Sequence, residues 1–505
     1  MSRRRAALLL LLVLLLAGCR TVRSVVARYP RPDIARIYAA ARQNPERNPV
    51  IVIPGFAGSE LVRQADGKIV WGAFFTKDAL SYGREEGFRA FGLDVAALPA
   101  RPRPEDLRHI DDDAEATAPL AQVRAEALVT DVSFDVYATL LNLLAGAGYR
   151  LVPGSGAAAA GGEGAAPADP AAPLVFTFAY DWRQDGVDNA IALGRFIGHA
   201  REQVREARRR AGLPQQPVRF DVIAHSMGGL VARYYLRYGP RDVLGGAPPP
   251  ITWAGSPDVE RLIMVGTPNF GSMKVLRDLI QGRGHPVLPR IQAALAATLT
   301  SVYQMLPRPQ HALLWLDEGG RPAAPPPLYD VATWMENGWG PFAEDQERFL
   351  AWLYPSLDAA ARRRHVAGFM AAALERGRRF HAALDQHPSS RPPTTLVLFA
   401  GDADATLERA VVLRRAGRLE LVFDGPEELG LMGPGDGTVS RASALADERL
   451  AGGPAGWLRS PIPWDWTFFV SDRHTSFLRN PTFQNNLLHL LIEQPPRHPA
   501  TPSEP

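Results

Sequence analysis

A serine between small residues, at the junction of a strand-like and a helix-like stretch, is the most chemically loaded position in this sequence. The apolar run Phe220 to Ala224 leads into Ala224-His225-Ser226-Met227-Gly228-Gly229, after which Leu230, Val231, Tyr234, Tyr235 and Leu236 recur at helical spacing. A small-x-Ser-x-Gly pattern is common by itself; between strand and helix it reads as a nucleophile elbow. The tip residue of such a turn is strained, and the residues two before and two after it must be small. Gly228 meets that demand fully, and Ala224 carries the smallest side chain that has a Cβ. His225 lies inside the turn and is expected to point away from the nucleophile, as a structural residue.

A serine hydroxyl attacks poorly until an imidazole removes its proton, and the imidazole needs a carboxylate to hold its tautomer. With an elbow of this kind the chain order is serine, acid, histidine. Of the 11 histidines, His474, His489 and His498 follow the last strand-like run. His489 sits in the apolar run Leu487-Leu488-His489-Leu490-Leu491 and reads as a core residue, and His498 falls in the tail. His474 comes shortly after the run 466–470 and before a final helix, and is taken as the base. For the acid, Asp402 and Asp404 follow the strand-like run 394–399 directly, whereas Asp436 stands in Gly435-Asp436-Gly437-Thr438-Val439 after a β excursion near 418–424. Flanking glycines suit a tight turn that presents a carboxylate, which favours Asp436, with Asp402 and Asp404 as alternatives that could equally cap the chain.

Attack on a carbonyl creates an oxyanion that needs two aimed N–H donors. One is the amide after the nucleophile, Met227; the other is placed at Phe56, in the glycine-rich turn Pro54-Gly55-Phe56-Ala57-Gly58-Ser59. No His/Cys or carboxylate cluster has metal-ligand spacing and no G-x-G-x-x-G loop occurs, so neither metal nor cofactor is expected.

The elements that must position these groups read as an alternation. Short apolar, β-branched runs at Pro49–Ile53, Leu174–Phe178, Phe220–Ala224, Arg261–Val265, Thr394–Phe399 and Trp466–Val470 look like strands buried on both faces. Amphipathic stretches at 137–147, 188–211 and 228–238 lie between them, which indicates an α/β fold with a mostly parallel, doubly wound sheet. The core is expected over 48–271 and 393–493. Residues 57–172 form an insertion ending in an Ala/Gly/Pro tract, a flexible loop over 154–173. Residues 272–392 form a large, mainly helical cap or lid. Its Trp315, Leu316, Trp334, Trp339, Phe342, Phe349, Trp352 and Tyr354 read as cap core rather than as a lipid surface.

The chain of 505 residues has a formal net charge of +3. Arg208-Arg209-Arg210 could suggest nucleic acid, but Leu193, Phe196, Ile197, Ala200, Val204 and Ala207 share one helical face, so the arginines read as its solvated side and no nucleic-acid partner is expected. At the N-terminus, Arg3-Arg4-Arg5 precede an apolar run from Ala6 to Leu16 and then Ala17-Gly18-Cys19. The run is too short to span a membrane and reads as a signal peptide over 1–18. Leu16-Ala17-Gly18-Cys19 resembles the bacterial lipobox, and Cys19 is the sole cysteine, so no intrachain disulfide is possible. The expectation is acylation at Cys19, a tether over 19–47, and anchoring in a bacterial envelope; Arg20 after the cysteine resembles sorting to the outer membrane, facing the periplasm. The proline-rich tail 494–505 is expected to be disordered.

The motifs together resemble the lecithin:cholesterol acyltransferase family, which includes lysosomal phospholipase A2 and phospholipid:diacylglycerol acyltransferases. Pro49 to Gly55 is similar to its opening strand and oxyanion loop, and Ala224 to Gly229 to its elbow. Ala179-Tyr180-Asp181-Trp182-Arg183, Gly266-Thr267-Pro268 and Gly435 to Val439 are similar to further family motifs, the last of them its acid loop. The resemblance implies an α/β-hydrolase fold, Asp436 as the acid, and acyl-ester substrates, commonly phospholipids, with water or an alcohol as acceptor. Residues 57–172 and 272–392 do not match the family, so headgroup and acceptor preferences do not carry over. Two other readings remain: a general carboxylesterase, thioesterase or polyester depolymerase with the same triad, and a non-catalytic envelope lipoprotein.

Overall fold

The structure, a computed structural model, describes residues 36, 39, 47–74, 78–120, 122–126, 131–135, 137–152, 169–284, 290–308, 314–451 and 458–494. Cys19, the signal peptide, nearly all of the tether, most of the Ala/Gly/Pro tract and the tail beyond 494 lie outside the described residues.

The β-branched runs pair with one another. Strand β1 (Val50–Ile53) lies between β3 (Leu174–Thr177) and β4 (Phe220–His225), and β5 (Val259–Val265), β6 (Thr395–Gly401) and β7 (Trp466–Val470) extend the sheet beyond β4. A two-residue strand, β2 (Arg150–Leu151), closes the other edge. The order is β7-β6-β5-β4-β1-β3-β2, and every pairing is parallel.

Period-two alternation sends successive side chains to opposite faces. Val50, Val52, Ile223, Ile263, Val265, Val397 and Phe399 meet helices α1 (Ala138–Gly146) and α5 (Pro481–Leu488) on one face. Ile51, Ile53, Val222, Ala224, Leu262, Met264, Leu396 and Leu398 meet α2 (Gly186–Arg210) and α3 (Met227–Tyr238) on the other. Both faces are therefore apolar, as an all-parallel sheet requires. In α2, Leu193, Ile197, Ala200 and Val204 are buried, while Arg209 and Arg210 pair outside with Glu206.

Of the interval 57–172, residues 137–152 belong to this core: they supply α1 and β2. The stretch before them forms small sheets of its own, one with the order Ile69–Trp71, Ser59–Arg63, Ala114–Pro119. Within 272–392 the described residues are mainly helical and end in α4 (Ala359–Leu384), whose N-terminus is capped by Asp358 accepting from the Ala361 amide. Helix α4 packs on the nucleophile helix through stacked rings, Phe380 on Tyr234. Arg376 reaches across to Asp185, the N-cap of α2; both are buried, with Nε–Oδ2 at 2.8 Å, and Gln304 donates to the same carboxylate. The β excursion is a hairpin, Ala410–Arg415 with Arg418–Val422, and Trp315–Leu316 adds a strand to it. The cap aromatics Trp315, Trp334, Trp339, Phe342, Phe349 and Tyr354 are buried, which makes them packing residues.

Candidate active site

The elbow forms because β4 ends where α3 must begin. Ser226 takes φ 53° and ψ −126°, a left-handed conformation for a non-glycine residue, and its N–H is held by the Val265 carbonyl at 2.8 Å. Such strain persists only where the surroundings over-determine it. Here they do: a Cβ on Gly228 would stand 2.4 Å from the Pro54 carbonyl oxygen, so the helix start is pressed against the end of β1.

The structure brings Ser226, His474 and Asp436 together. Ser226 Oγ lies 2.9 Å from His474 Nε2, and His474 Nδ1 lies 2.7 Å from Asp436 Oδ2. The other carboxylate oxygen accepts the Thr438 and Val439 amides at 2.9 and 2.7 Å, and the Asp436 carbonyl accepts the His474 N–H at 2.8 Å. Burial pushes the Asp436 carboxyl up, but His474 and the two amides outweigh it and hold it below the usual carboxylate range. An ionised Asp436 fixes the proton of His474 on Nδ1, leaving Nε2 free to accept from the serine hydroxyl.

Neither Asp402 nor Asp404 hydrogen-bonds to His474; Asp404 faces Arg473, at 3.3 Å. Of the other histidines, His489 departs from the expectation of a core residue: it pairs with Glu493 at 2.7 Å and remains part-exposed. The cause is a widening of the final helix into a π turn over His489–Glu493, which turns His489 off the face that Leu487, Leu488, Leu490 and Leu491 bury.

Phe56 follows Gly55, which lies against Ser226, and Met227 follows the serine in the chain. Met227 is the first residue of α3, whose leading N–H groups have no intrahelical acceptor. The Phe56 N–H has no acceptor among the described residues. The Tyr180-Asp181-Trp182-Arg183 motif supports this loop rather than touching the serine. Tyr180 Oη donates to the Pro54 carbonyl at 2.8 Å, Trp182 Nε1 donates to the Ser59 carbonyl at 3.1 Å, and the Phe56 ring rests edge-on against Trp182. Arg183 is spent on Asp181, Asp112 and the carbonyls of residues 90–92.

Two contributors have no signature in the sequence. Thr406 Oγ1 accepts the Gly437 amide at 2.8 Å and so shapes the acid turn. Tyr137 Oη lies 2.8 Å from the Gly55 N and 2.9 Å from His225 Nδ1. Both partners of Tyr137 are more than eighty residues away, and no local pattern announces such a contact. Among the described residues no group of three or more His, Cys, Asp or Glu side chains could hold a metal ion, and no helix is long and apolar enough to cross a membrane.

With this geometry in place, the chain can be set beside known proteins. Residues 172–320, which carry the Tyr180–Arg183 motif, the elbow and the Gly266 strand end, match one family. It is the lecithin:cholesterol acyltransferase family. The lecithin:cholesterol acyltransferase match thus covers β3 to β5 and, against the expectation that 272–392 would not match, the beginning of the cap to residue 320. Among 19 matching chains of solved structures, one from the crystal structure of the Tle4–Tli4 complex aligns with a TM-score of 0.52 at 17% identity. That alignment covers 88% of this chain and 98% of the other. At that identity the likeness is one of fold, and the fold is that of the α/β-hydrolases. No curated protein sequence matches the chain.

Proposed function

We propose that the protein is a serine-dependent lipid acyl-ester hydrolase or O-acyltransferase. The match to the lecithin:cholesterol acyltransferase family and the α/β-hydrolase fold support acyl-ester chemistry in general. The observation that carries the finer reading is the continuous hydrogen-bonded chain from Ser226 Oγ through His474 to a buried, ionised Asp436.

In this mechanism His474 Nε2 takes the serine proton as Oγ attacks the ester carbonyl, and Asp436 stabilises the imidazolium without itself being protonated. The Phe56 and Met227 amides hold the oxyanion of the tetrahedral intermediate. Its collapse returns the proton from His474 to the leaving alcohol and leaves an acyl group on Ser226. Water or an alcohol then attacks that acyl-enzyme, with His474 again as base. We further propose that Cys19 is acylated and anchors the enzyme in a bacterial envelope, at the outer membrane facing the periplasm; the lipobox-like sequence supports that placement and brings the site to lipid substrates.

The test is lipid analysis by mass spectrometry of phospholipid vesicles incubated with the mature protein, with and without a sterol or glycerol acceptor. Release of fatty acid or formation of acylated acceptor, abolished by Ser226→Ala, is the expected result. Equal turnover by wild type and Ser226→Ala would sink the proposal. Fatty acid alone, whatever acceptor is supplied, would remove the acyltransferase half of it.

A further inference from the structure

One hydroxyl touches both halves of the site without touching the triad. Gly55 and His225 are the residues immediately before Phe56 and Ser226, and Tyr137 hydrogen-bonds to each of them. The Gly55 N–H donates to Tyr137 Oη at 2.8 Å. The phenol keeps one hydrogen, which it donates to His225 Nδ1 at 2.9 Å. His225 therefore carries its proton on Nε2. It is neutral, because burial, and after it the neighbouring His474, whose ring centroid is 5.0 Å away, pull it down to about 3. Tyr137 itself is buried, and its ring stands edge-on to His225.

From these contacts we infer that Tyr137, backed by His225, is a positioning residue for the oxyanion donor at Phe56. The inference rests on the proposed reading of the site as an acyl-transfer centre. The two peptide units that flank the Gly55 Cα are each fixed: the Gly55 N–H by Tyr137, and the Gly55 carbonyl by the Gly58 N–H at 3.0 Å. The Phe56 N–H belongs to the same planar unit as the Gly55 carbonyl and points opposite to it. Fixing that carbonyl towards Gly58 therefore fixes where the Phe56 N–H points. On the third side the loop rests on the nucleophile itself, since a Cβ on Gly55 would stand 2.7 Å from Ser226 Cβ. Tyr137 thus sets the spacing between oxyanion loop and elbow, and with it the place where the developing charge meets its donor.

Without the hydroxyl, the Gly55 N–H and His225 Nδ1 both lose their partner in a dry interior, and the loop is free to turn. Donor geometry acts on the transition state more than on bound substrate. Tyr137→Phe should lower kcat per active site, titrated with a fluorophosphonate, ten- to a hundredfold on p-nitrophenyl butyrate. KM should stay within twofold, and affinity for an alkyl boronic acid should fall in parallel with kcat/KM. His225→Leu should show the same loss. His225→Gln, whose amide oxygen can accept the phenol hydrogen, should recover most of it. A lower melting temperature with unchanged kcat per titrated site would make Tyr137 purely structural and overturn the inference. So would a rise in KM at constant kcat. Wild-type turnover by Ser226→Ala would remove the underlying reading and this one with it; an inactive Ser226→Ala beside a fully active Tyr137→Phe refutes this inference alone.

Discussion

Substituting Gly401 by alanine tests the position of the acid without touching any reacting group. Gly401 ends β6 directly beneath the acid turn, and a Cβ there would lie 2.6 Å from Asp436 Cβ and 2.9 Å from Asp436 Cα. Its φ lies outside the left-handed region, so alanine adds bulk and no backbone strain. The contact is with main chain and the root of a side chain, which cannot swing aside. Restoring an ordinary carbon–carbon separation requires the acid turn to retreat by about 1 Å. That retreat acts on both links to the base, the 2.7 Å carboxylate–imidazole bond and the 2.8 Å backbone bond from the His474 N–H. A misplacement of this size costs roughly a hundredfold in turnover, and the overpacking about 1–3 kcal/mol of stability. The assay is p-nitrophenyl ester hydrolysis per fluorophosphonate-titrated site, with urea unfolding in parallel. Gly198→Ala serves as the control: it lies inside α2 with nothing within 4 Å of a new Cβ, and should gain about 0.5–1 kcal/mol with turnover unaltered. Wild-type turnover and stability in Gly401→Ala would mean that Asp436 does not sit, or does not act, where these distances place it.

Two further outcomes concern the cap. Asp185→Ala removes one of the two carboxylates on buried Arg376, Asp242 being the other, together with the cap of α2 on the Val187 amide, and should cost about 3 kcal/mol in urea unfolding, the lower end for a broken buried pair. Adding Arg376→Met should return part of that loss, and a fully additive double variant would show the pair to be unlinked. His381, buried in α4 between Tyr329 Oη and the Gln304 carbonyl, is pulled by burial to about 3. A folded value below the unfolded one of roughly 6.5 means that its contribution is fully present above that pH and is lost as pH falls towards 3. Replacing His381 by glutamine should therefore flatten the acid-side fall in stability by about 1.4 kcal/mol per pH unit between pH 6 and 4. Urea midpoints measured across that range check this, and an unchanged slope would exclude a buried neutral imidazole.

What could be read from the sequence was what is locally encoded. The elbow announces itself because strand, strained turn and helix are contiguous over 220–238, and the parallel strands because burial on both faces leaves uninterrupted apolar runs. His474 and Asp436 needed the chain order and the turn chemistry as well, since each alone is an ordinary loop residue. The small sheets of 59–135 were not legible: strands such as Ala114–Pro119 alternate between part-buried and exposed, with alanine at the part-buried positions where a strong signal needs valine or isoleucine. Tyr137 was invisible for another reason. Its position before α1 looks like plain core, and only the folded chain sets its hydroxyl beside Gly55 and His225. His489 misled because a leucine-rich run implies an unbroken helical face, and the π turn breaks it.

The order of the central sheet also sets a timetable. β1 cannot find a neighbour until residues near 175 and 221 exist, and β7, which brings His474, joins at the outer edge beside β6. Pairings that close such long loops are slow to form, because the entropy of closure precedes any reward. The serine and its base stand 248 residues apart along the chain, with the acid between them. A growing or truncated chain that stops short of the last strand therefore has an elbow and no base. On the proposed mechanism, Ser226 therefore has no imidazole to activate it until the last strand of the sheet has docked beside β6.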